Sequence, residues 1–213
     1  MARLRAADYD DKRNALLQVA ARLFARDGFD RTSISDIAAA AEVSKALLYH
    51  YYANKDALLF DIIHGHLLDL VDQVEAADDV RLPPEEHLQK LIATALFAYR
   101  DADAMHKVQI NDLDKLGDRE QQIIRALERK LVAIVARALT RLNPTLAAQG
   151  EALLKPVTMS LFGILNWSYL WFRDDRPMSR DAYARLVTHL FVDGAARLTP
   201  AAIGQGAALL GRD

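Results

Sequence analysis

The residues best equipped for chemistry in this 213-residue chain lie in the stretch SKALLYHYYANKD, residues 44–56. Tyr49, His50, Tyr51 and Tyr52 follow one another, and four consecutive side chains of a helix point in every direction, so some of them face outward. Outward phenol and imidazole groups between Lys45 and Lys55 are hydrogen-bond donors on a cationic background. Tyr49 and Tyr51 can donate to phosphate while their rings lie against sugars, and His50 can donate to phosphate or to a base acceptor. Lys45 can reach guanine O6 and N7, and Leu47 beside Ala46 can pack on a thymine methyl.

Catalytic and metal chemistry finds no matching pattern. His64 and His66 are two apart on one helix, unlike an i, i+4 zinc pair. DLDKLG at 112–117 begins like a calcium loop, but Leu116 and Ile123 occupy its fifth and twelfth positions, so ligation fails. No nucleophile elbow, phosphate loop or dinucleotide fingerprint is present. An enzyme, a metal site and a bound cofactor are therefore not expected.

Composition sets the frame. The chain is 52% apolar, enough for a substantial core, and contains no cysteine, which excludes disulfides and thiolate metal sites. Its longest apolar run, 159–172, is broken by Asn166 and Ser168, and no stretch reaches the roughly 18 apolar residues of a membrane span. A cytoplasmic protein with no membrane partner is the expectation. The net charge is −2, and residues 1–60 hold nine Lys/Arg against eight Asp/Glu, so a nucleic-acid role must rest on local placement. Arg3, Arg5, Lys12 and Arg13 cluster at the start.

Helical patterns dominate, and no convincing period-two alternation appears, so the fold class is all-α. Residues 10–27 predict a helix stopped by Gly28 in a left-handed conformation. SISD at 33–36, with Ser35 inside it, is a capping-box pattern opening a short helix. Ser44 caps a second short helix, and Asn54 a longer one from Lys55 to about Ala77. Beyond Pro83 and Pro84, helices are expected at about 84–100, 102–114, 118–142, 149–172 and 179–198.

A long helix followed by two short ones, joined by AEVS at 41–44, is the layout of a helix-turn-helix unit. Ile37, Ala38, Ala41, Val43, Leu48 and Tyr52 then form its small core, leaving Lys45, Ala46, Leu47, Tyr49, His50 and Tyr51 outward. Thr32 and Ser33 stand where the helix start presents N–H groups to a phosphate, Ser35 and Ser44 are further candidates for DNA contact, and Lys55 adds a backbone clamp. The competing reading makes the tyrosines ordinary core aromatics and Lys55 a solvated charge.

IAAAAEVSKALLYHYYANKDALL resembles the TetR family of bacterial transcriptional regulators, in which a pattern of apolar-Ala-x-x-Ala-x-Val-Ser precedes Leu-Tyr and a following Lys. The likeness covers about residues 11–60. One departure is Glu42, where the family's turn carries Gly; a left-handed Glu costs about 1 kcal/mol. The resemblance implies a three-helix DNA-binding domain at 1–54, a ligand-binding and dimerisation domain at 55–200, and a tail at 201–213. It also implies a homodimer that occupies a palindromic operator as a repressor and is released by a small-molecule effector.

LFGILNWSYLWFRDDRPMS, 161–179, resembles the penultimate helix of family members that sense acyl-coenzyme A thioesters, and DLDKLGDREQQIIRALERKLVAIV, 112–135, resembles the repressors of phenylacetate degradation. Phenylacetyl-CoA is the implied effector. Phe97, Tyr99, Met105, Gln109, Phe162, Asn166 and Trp167 are candidates for its pocket, with Arg100, Lys107, Arg125 and Arg173 for its phosphates. Leu161, Leu165, Leu186, Leu190, Phe191 and Gly194 are candidates for a two-fold, four-helix interface. The alternatives are a related regulator sensing an unrelated hydrophobic molecule or drug, and a helical interaction module without DNA binding.

Overall fold

The computed structural model describes residues 2–100, 102–148, 151–175 and 177–195, and among them every regular element is helical. In chain order these are α1 (Ala2–Asp27), α2 (Ile34–Ala40), α3 (Lys45–Tyr51), α4 (Lys55–Ala77), α5 (Pro84–Ala98), α6 (Asp103–Asp112), α7 (Asp118–Leu142), α8 (Pro144–Ala148), α9 (Glu151–Trp167) and α10 (Arg180–Ala195). The segment 201–213 and the expected helix end at 196–198 lie outside the described residues, as do the side chains of Arg3 and Arg5.

Local chemistry explains most of the boundaries. Gly28 ends α1 at φ +89, its N–H bonding to Phe24 O at 2.9 Å. No proline or glycine precedes it, and α1 extends back to Ala2 rather than starting near residue 10. The helix expected over 102–114 ends sooner, because Leu113–Lys115 tightens into a 3-10 turn before extended Leu116. The helix expected over 149–172 breaks at Ser168: its hydroxyl donates to Leu165 O, and its carbonyl accepts from the N–H groups of Trp171 and Phe172. The short α8 was not anticipated; Asn143 caps it, accepting from Thr145 N at 3.0 Å.

The chain forms two compact units, one of residues 1–69 with 101–127 and the other of 70–100 with 128–213. Unit 1 thus contains more than the helix-turn-helix segment: it adds the first part of α4, all of α6 and the start of α7. Its core gathers Phe24, Ile37, Leu48, Leu58, Ile62 and Val108, with α6 packed along α1. Burying a side chain such as Leu48 completely contributes about 1.5–3 kcal/mol, enough to hold a seven-residue helix that is too short to persist alone.

In unit 2, α9 and α10 pack on α5 around Leu88, Leu91, Leu131, Leu161 and Val187. A polar tie crosses this apolar unit. Fully buried His87 lies 2.8 Å from Asp78 and 2.8 Å from Arg141, while Arg137 reaches Asp78 at 2.7 Å. Each buried group has a partner, as burial of polar atoms requires.

Candidate nucleic-acid interface

The site is built from caps inward. Ser33 and Asp36 form a reciprocal capping box, Asp36 N donating to Ser33 Oγ at 3.2 Å and Ser33 N donating to Asp36 Oδ2 at 2.8 Å. Hydrogen bonds from the Ser33 side chain and then its backbone hold the Asp36 carboxyl below its ordinary range. The turn after α2 places Glu42 at φ +56, the conformation for which the usual residue is Gly. Val43 N then bonds Ala38 O at 3.0 Å, and Ser44 Oγ accepts from Leu47 N at 3.1 Å to start α3.

This frame turns α3 so that Leu48 and Tyr52 are buried while Ser44, Lys45, Ala46, Leu47, Tyr49 and His50 are exposed. Tyr49 is 55% exposed, and the His50 and Tyr51 rings meet edge-on with centroids 5.7 Å apart. Tyr51 and Ser35 are half-buried, and Ser33 is exposed at the start of α2. Seven of the residues expected at a duplex therefore share solvent exposure around α3 and the α2 start.

Two residues expected there do other work. Thr32 is buried, its hydroxyl donating to Gly28 O at 2.9 Å and its N–H to Phe29 O. Lys55 turns inward, donating to Phe29 O at 2.7 Å and Thr32 O at 3.1 Å with its ammonium 4.2 Å from the Phe29 ring centroid. It binds the α1–α2 loop to α4 instead of presenting its charge outward. Lys115 secures the same loop from the turn after α6 by pairing with Asp30, whose carboxyl is held below its ordinary range by that bond.

Three supports of unit 1 went unread in the sequence. Asp61 accepts from Arg13 at 2.5 Å and from the Tyr52 hydroxyl at 2.5 Å, joining α1, α3 and α4. Burial, followed by that carboxylate, holds the Tyr52 phenol well above its usual range. His66 Nε2 lies 3.3 Å from His106 Nδ1, both rings buried, and burial followed by His106 pushes His66 down to about 3. The Lys115 to Asp30 pair is the third. An isolated Asp between Phe60 and Ile62 was the available signal for Asp61, whereas the His pair spans 40 residues and left no local trace.

Unit 2 encloses an apolar cavity of about 10 Å³ lined by Val74, Leu91, Tyr99, Val135, Phe162 and Leu165, among others. Of the residues expected at a ligand, Tyr99 and Phe162 line it, and Asn166 accepts from the Tyr99 hydroxyl at 2.9 Å. Phe97, Trp167 and Arg173 are exposed, and Arg173 donates to Phe172 O at 2.7 Å. Met105 and Gln109 belong to α6 in unit 1, where Met105 Sδ lies 3.9 Å from Gln18 Nε2. Of the phosphate candidates, exposed Arg100 stands 5.7 Å from the Phe97 ring centroid, Arg125 donates to Gln121 at 3.0 Å, and Lys107 is half-buried on α6.

The interface candidates divide. Leu161 and Leu165 are buried in the unit 2 core, so they are packing residues rather than surface ones. Leu186, Leu190 and Gly194 form an exposed i, i+4, i+8 stripe on α10, with Phe191 half-buried beside it. Met159, Gly163 and Trp167 form a second exposed stripe of the same spacing on α9. A Cβ at Gly163 or Gly194 meets nothing within 4 Å, so packing within the chain demands neither glycine.

Residues 16–62 match the family described as bacterial regulatory proteins, tetR family, and residues 81–195 match the tetracyclin repressor-like C-terminal domain. A TetR-family transcriptional regulator from Bordetella parapertussis 12822 superposes with a TM-score of 0.81 at 35% identity, covering 88% of this chain and 97% of that one. AibR, solved in complex with isovaleryl coenzyme A and operator DNA, gives a TM-score of 0.72 at 25% identity over 85% of this chain and 98% of its own. The HTH-type transcriptional repressor KstR2 of Rhodococcus jostii (strain RHA1) is 34% identical over 95 residues, 45% of each chain. The chain spans about half the length of the curated relatives it matches.

Proposed function

Because this chain belongs to the TetR family of bacterial regulatory proteins, we propose that it is a DNA-binding transcriptional repressor, acting as a homodimer and released from its operator by an acyl-coenzyme A thioester. The family and the relatives above are regulators of transcription and not enzymes. The observation that carries the reading is the outward face of α3, where Lys45, Tyr49 and His50 are exposed on a helix fixed by the Ser44 cap and by buried Leu48 and Tyr52. Lys45 reaches base edges from the helix start, and Tyr49, His50 and Ser33 donate to phosphates.

One seven-residue helix makes few contacts, so specific binding calls for two copies spanning half-sites about 34 Å apart on a palindromic operator. The exposed apolar stripes of α9 and α10 supply a surface for that pairing. Leu190 is 60% exposed and Trp167 59%, and the glycines Gly163 and Gly194 let a facing backbone approach closely.

An acyl-CoA effector is supported by the NWSYLWF stretch and by the likeness to AibR, whose solved complex holds isovaleryl coenzyme A. Phenylacetyl-CoA is the thioester this reading favours. The unit 2 cavity is lined by carbon and Tyr99, which suits an acyl or aryl group, while the nucleotide phosphates belong outside it near exposed cations such as Arg100 and Arg173. Linkage requires the thioester to favour the DNA-incompetent state by the factor through which it weakens operator affinity.

The test is titration of the purified protein against DNA from immediately upstream of its own gene, at fixed salt, with and without phenylacetyl-CoA or a fatty acyl-CoA. Specific binding relieved by one thioester is the expected result. Specific binding that neither relieves removes the effector, and an absence of specific binding at this and other promoters removes the DNA role.

A further inference from the structure

Helix α3 is seven residues long, and Leu48 is the side chain it buries. Burial of one apolar group is non-directional: it holds the helix against unit 1 without deciding how the helix is turned about its own axis. The Ser44 cap and the turn before it fix where α3 begins. Its far end is fixed by the C-cap residue Tyr52, whose ring is buried and whose hydroxyl donates to Asp61 Oδ2 at 2.5 Å.

Asp61 lies in the second turn of α4 and is itself held, since Arg13 Nη2 on α1 donates to both of its oxygens, each at 2.5 Å. The carboxylate thus stands at a fixed point between two long helices, and Tyr52 ties the end of α3 to it. Burial, followed by Asp61, keeps the Tyr52 phenol protonated, so its hydroxyl remains a donor. A part-buried ion pair adds little stability beyond what an apolar contact in its place would give. What it adds is direction.

We propose that the Tyr52–Asp61–Arg13 tie is the positioning device of the reading helix, holding α3 at the rotation that presents Lys45 to base edges and so setting sequence selectivity without touching DNA. The inference rests on the operator reading above. Base contacts demand one rotation of α3, whereas phosphate contacts tolerate others. With the tie cut, only a fraction of the free protein carries α3 at the competent rotation, and specific affinity falls by that fraction while non-specific affinity is kept.

The test is an anisotropy titration of the full chain against DNA from upstream of its own gene and against a scrambled duplex of the same length, at one salt concentration. Tyr52→Phe, which keeps the ring and its packing, should lower the ratio of the two affinities by roughly 10-fold, with the scrambled duplex bound within about 2-fold of wild type. Asp61→Ala should lower the ratio at least as far, and adding Tyr52→Phe to it should lower it no further, because both remove the same tether. Arg13→Gln, which frees the carboxylate but spares its bond to Tyr52, should lower the ratio by about 3-fold, and it carries the test if either other variant is unfolded by circular dichroism. An unchanged ratio in folded variants, or an equal loss on both duplexes, makes the tie a structural support alone and overturns the proposal while leaving the operator reading in place. A folded wild type that prefers neither duplex overturns both.

Discussion

Helices α3 and α9 both expose aromatic side chains, yet the two surfaces ask for opposite partners. On α3 the exposed groups end in donors: the Lys45 ammonium, the Tyr49 phenol and the His50 imidazole. On α9 the exposed stripe is Met159, Gly163 and Trp167, almost entirely carbon, with Leu186, Leu190 and Gly194 repeating the theme on α10. The first surface retains its hydration until a polar, anionic partner replaces it; the second is relieved by any matching apolar surface, and another copy of the same chain supplies one. Supports differ in the same sense. The α3 frame is fixed by caps and ion pairs at defined positions, whereas α9 and α10 are held by burial of their other faces against α5.

The largest expected effect comes from charging the apolar surface. Leu186→Arg combined with Leu190→Arg, both at exposed positions, should weaken dimerisation by at least about 100-fold in sedimentation equilibrium while leaving helix content by circular dichroism unchanged. An unchanged dimer would assign the α10 stripe no part in pairing.

A second prediction concerns acid. His66 is held at about 3 in the folded chain against an unfolded value near 6.5, so the folded state refuses a proton that the unfolded state accepts. Its contribution is intact above pH 6.5 and is lost progressively as the pH falls toward 3, reaching about 2 kcal/mol at pH 5. Urea unfolding at pH 7.5 and 5 should show this loss, and His66→Gln should flatten it; a pH dependence identical in the variant would count against the buried pair as its source.

The two lysines flanking the aromatic cluster should separate in DNA titrations, Lys45 changing either the salt slope or base discrimination and Lys55 neither. Lys45→Ala should lower the slope of log affinity for DNA against log salt by about 1 if it contacts phosphate, or leave it unchanged with loss of discrimination at one base pair if it contacts guanine. Lys55→Met should leave the slope as it is and destabilise the fold by about 1–2 kcal/mol through its lost bonds to Phe29 O and Thr32 O. A reduced slope for Lys55→Met would return its charge to the DNA. Smallest of all, Glu42→Gly should stabilise by up to about 1 kcal/mol in thermal unfolding, since it relieves the positive φ at some entropic cost.

Much of the α3 region was legible because its determinants are local. Ser33 with Asp36, Ser44, Gly28 and the strained Glu42 each act within four residues, and the sequence predicts their caps and turns directly. The placement of Lys55 was not legible, because a helix start looks the same in sequence whether its lysine faces solvent or folds back on a carbonyl 26 residues away. The α9 surface was harder. Leu161 and Leu165 share the apolar periodicity of Met159 and Trp167, and which stripe meets the core depends on where α5 lies, information no local pattern carries. The expected continuation of this helix through residue 172 failed for a related reason: Trp171 packs at 5.2 Å and Phe172 at 5.3 Å on Tyr183, a tertiary contact that favours a turn over another helical residue.

The most direct measurement is fluorescence anisotropy of the dimer on DNA from upstream of its own gene, against a scrambled duplex at the same salt, for wild type and for Lys45→Ala with Tyr49→Ala. Wild type should bind tightly and sequence-selectively, and the variant should lose that selectivity while remaining folded and dimeric. Undiminished selectivity in the double variant would contradict the claim that the outward face of α3 reads the operator.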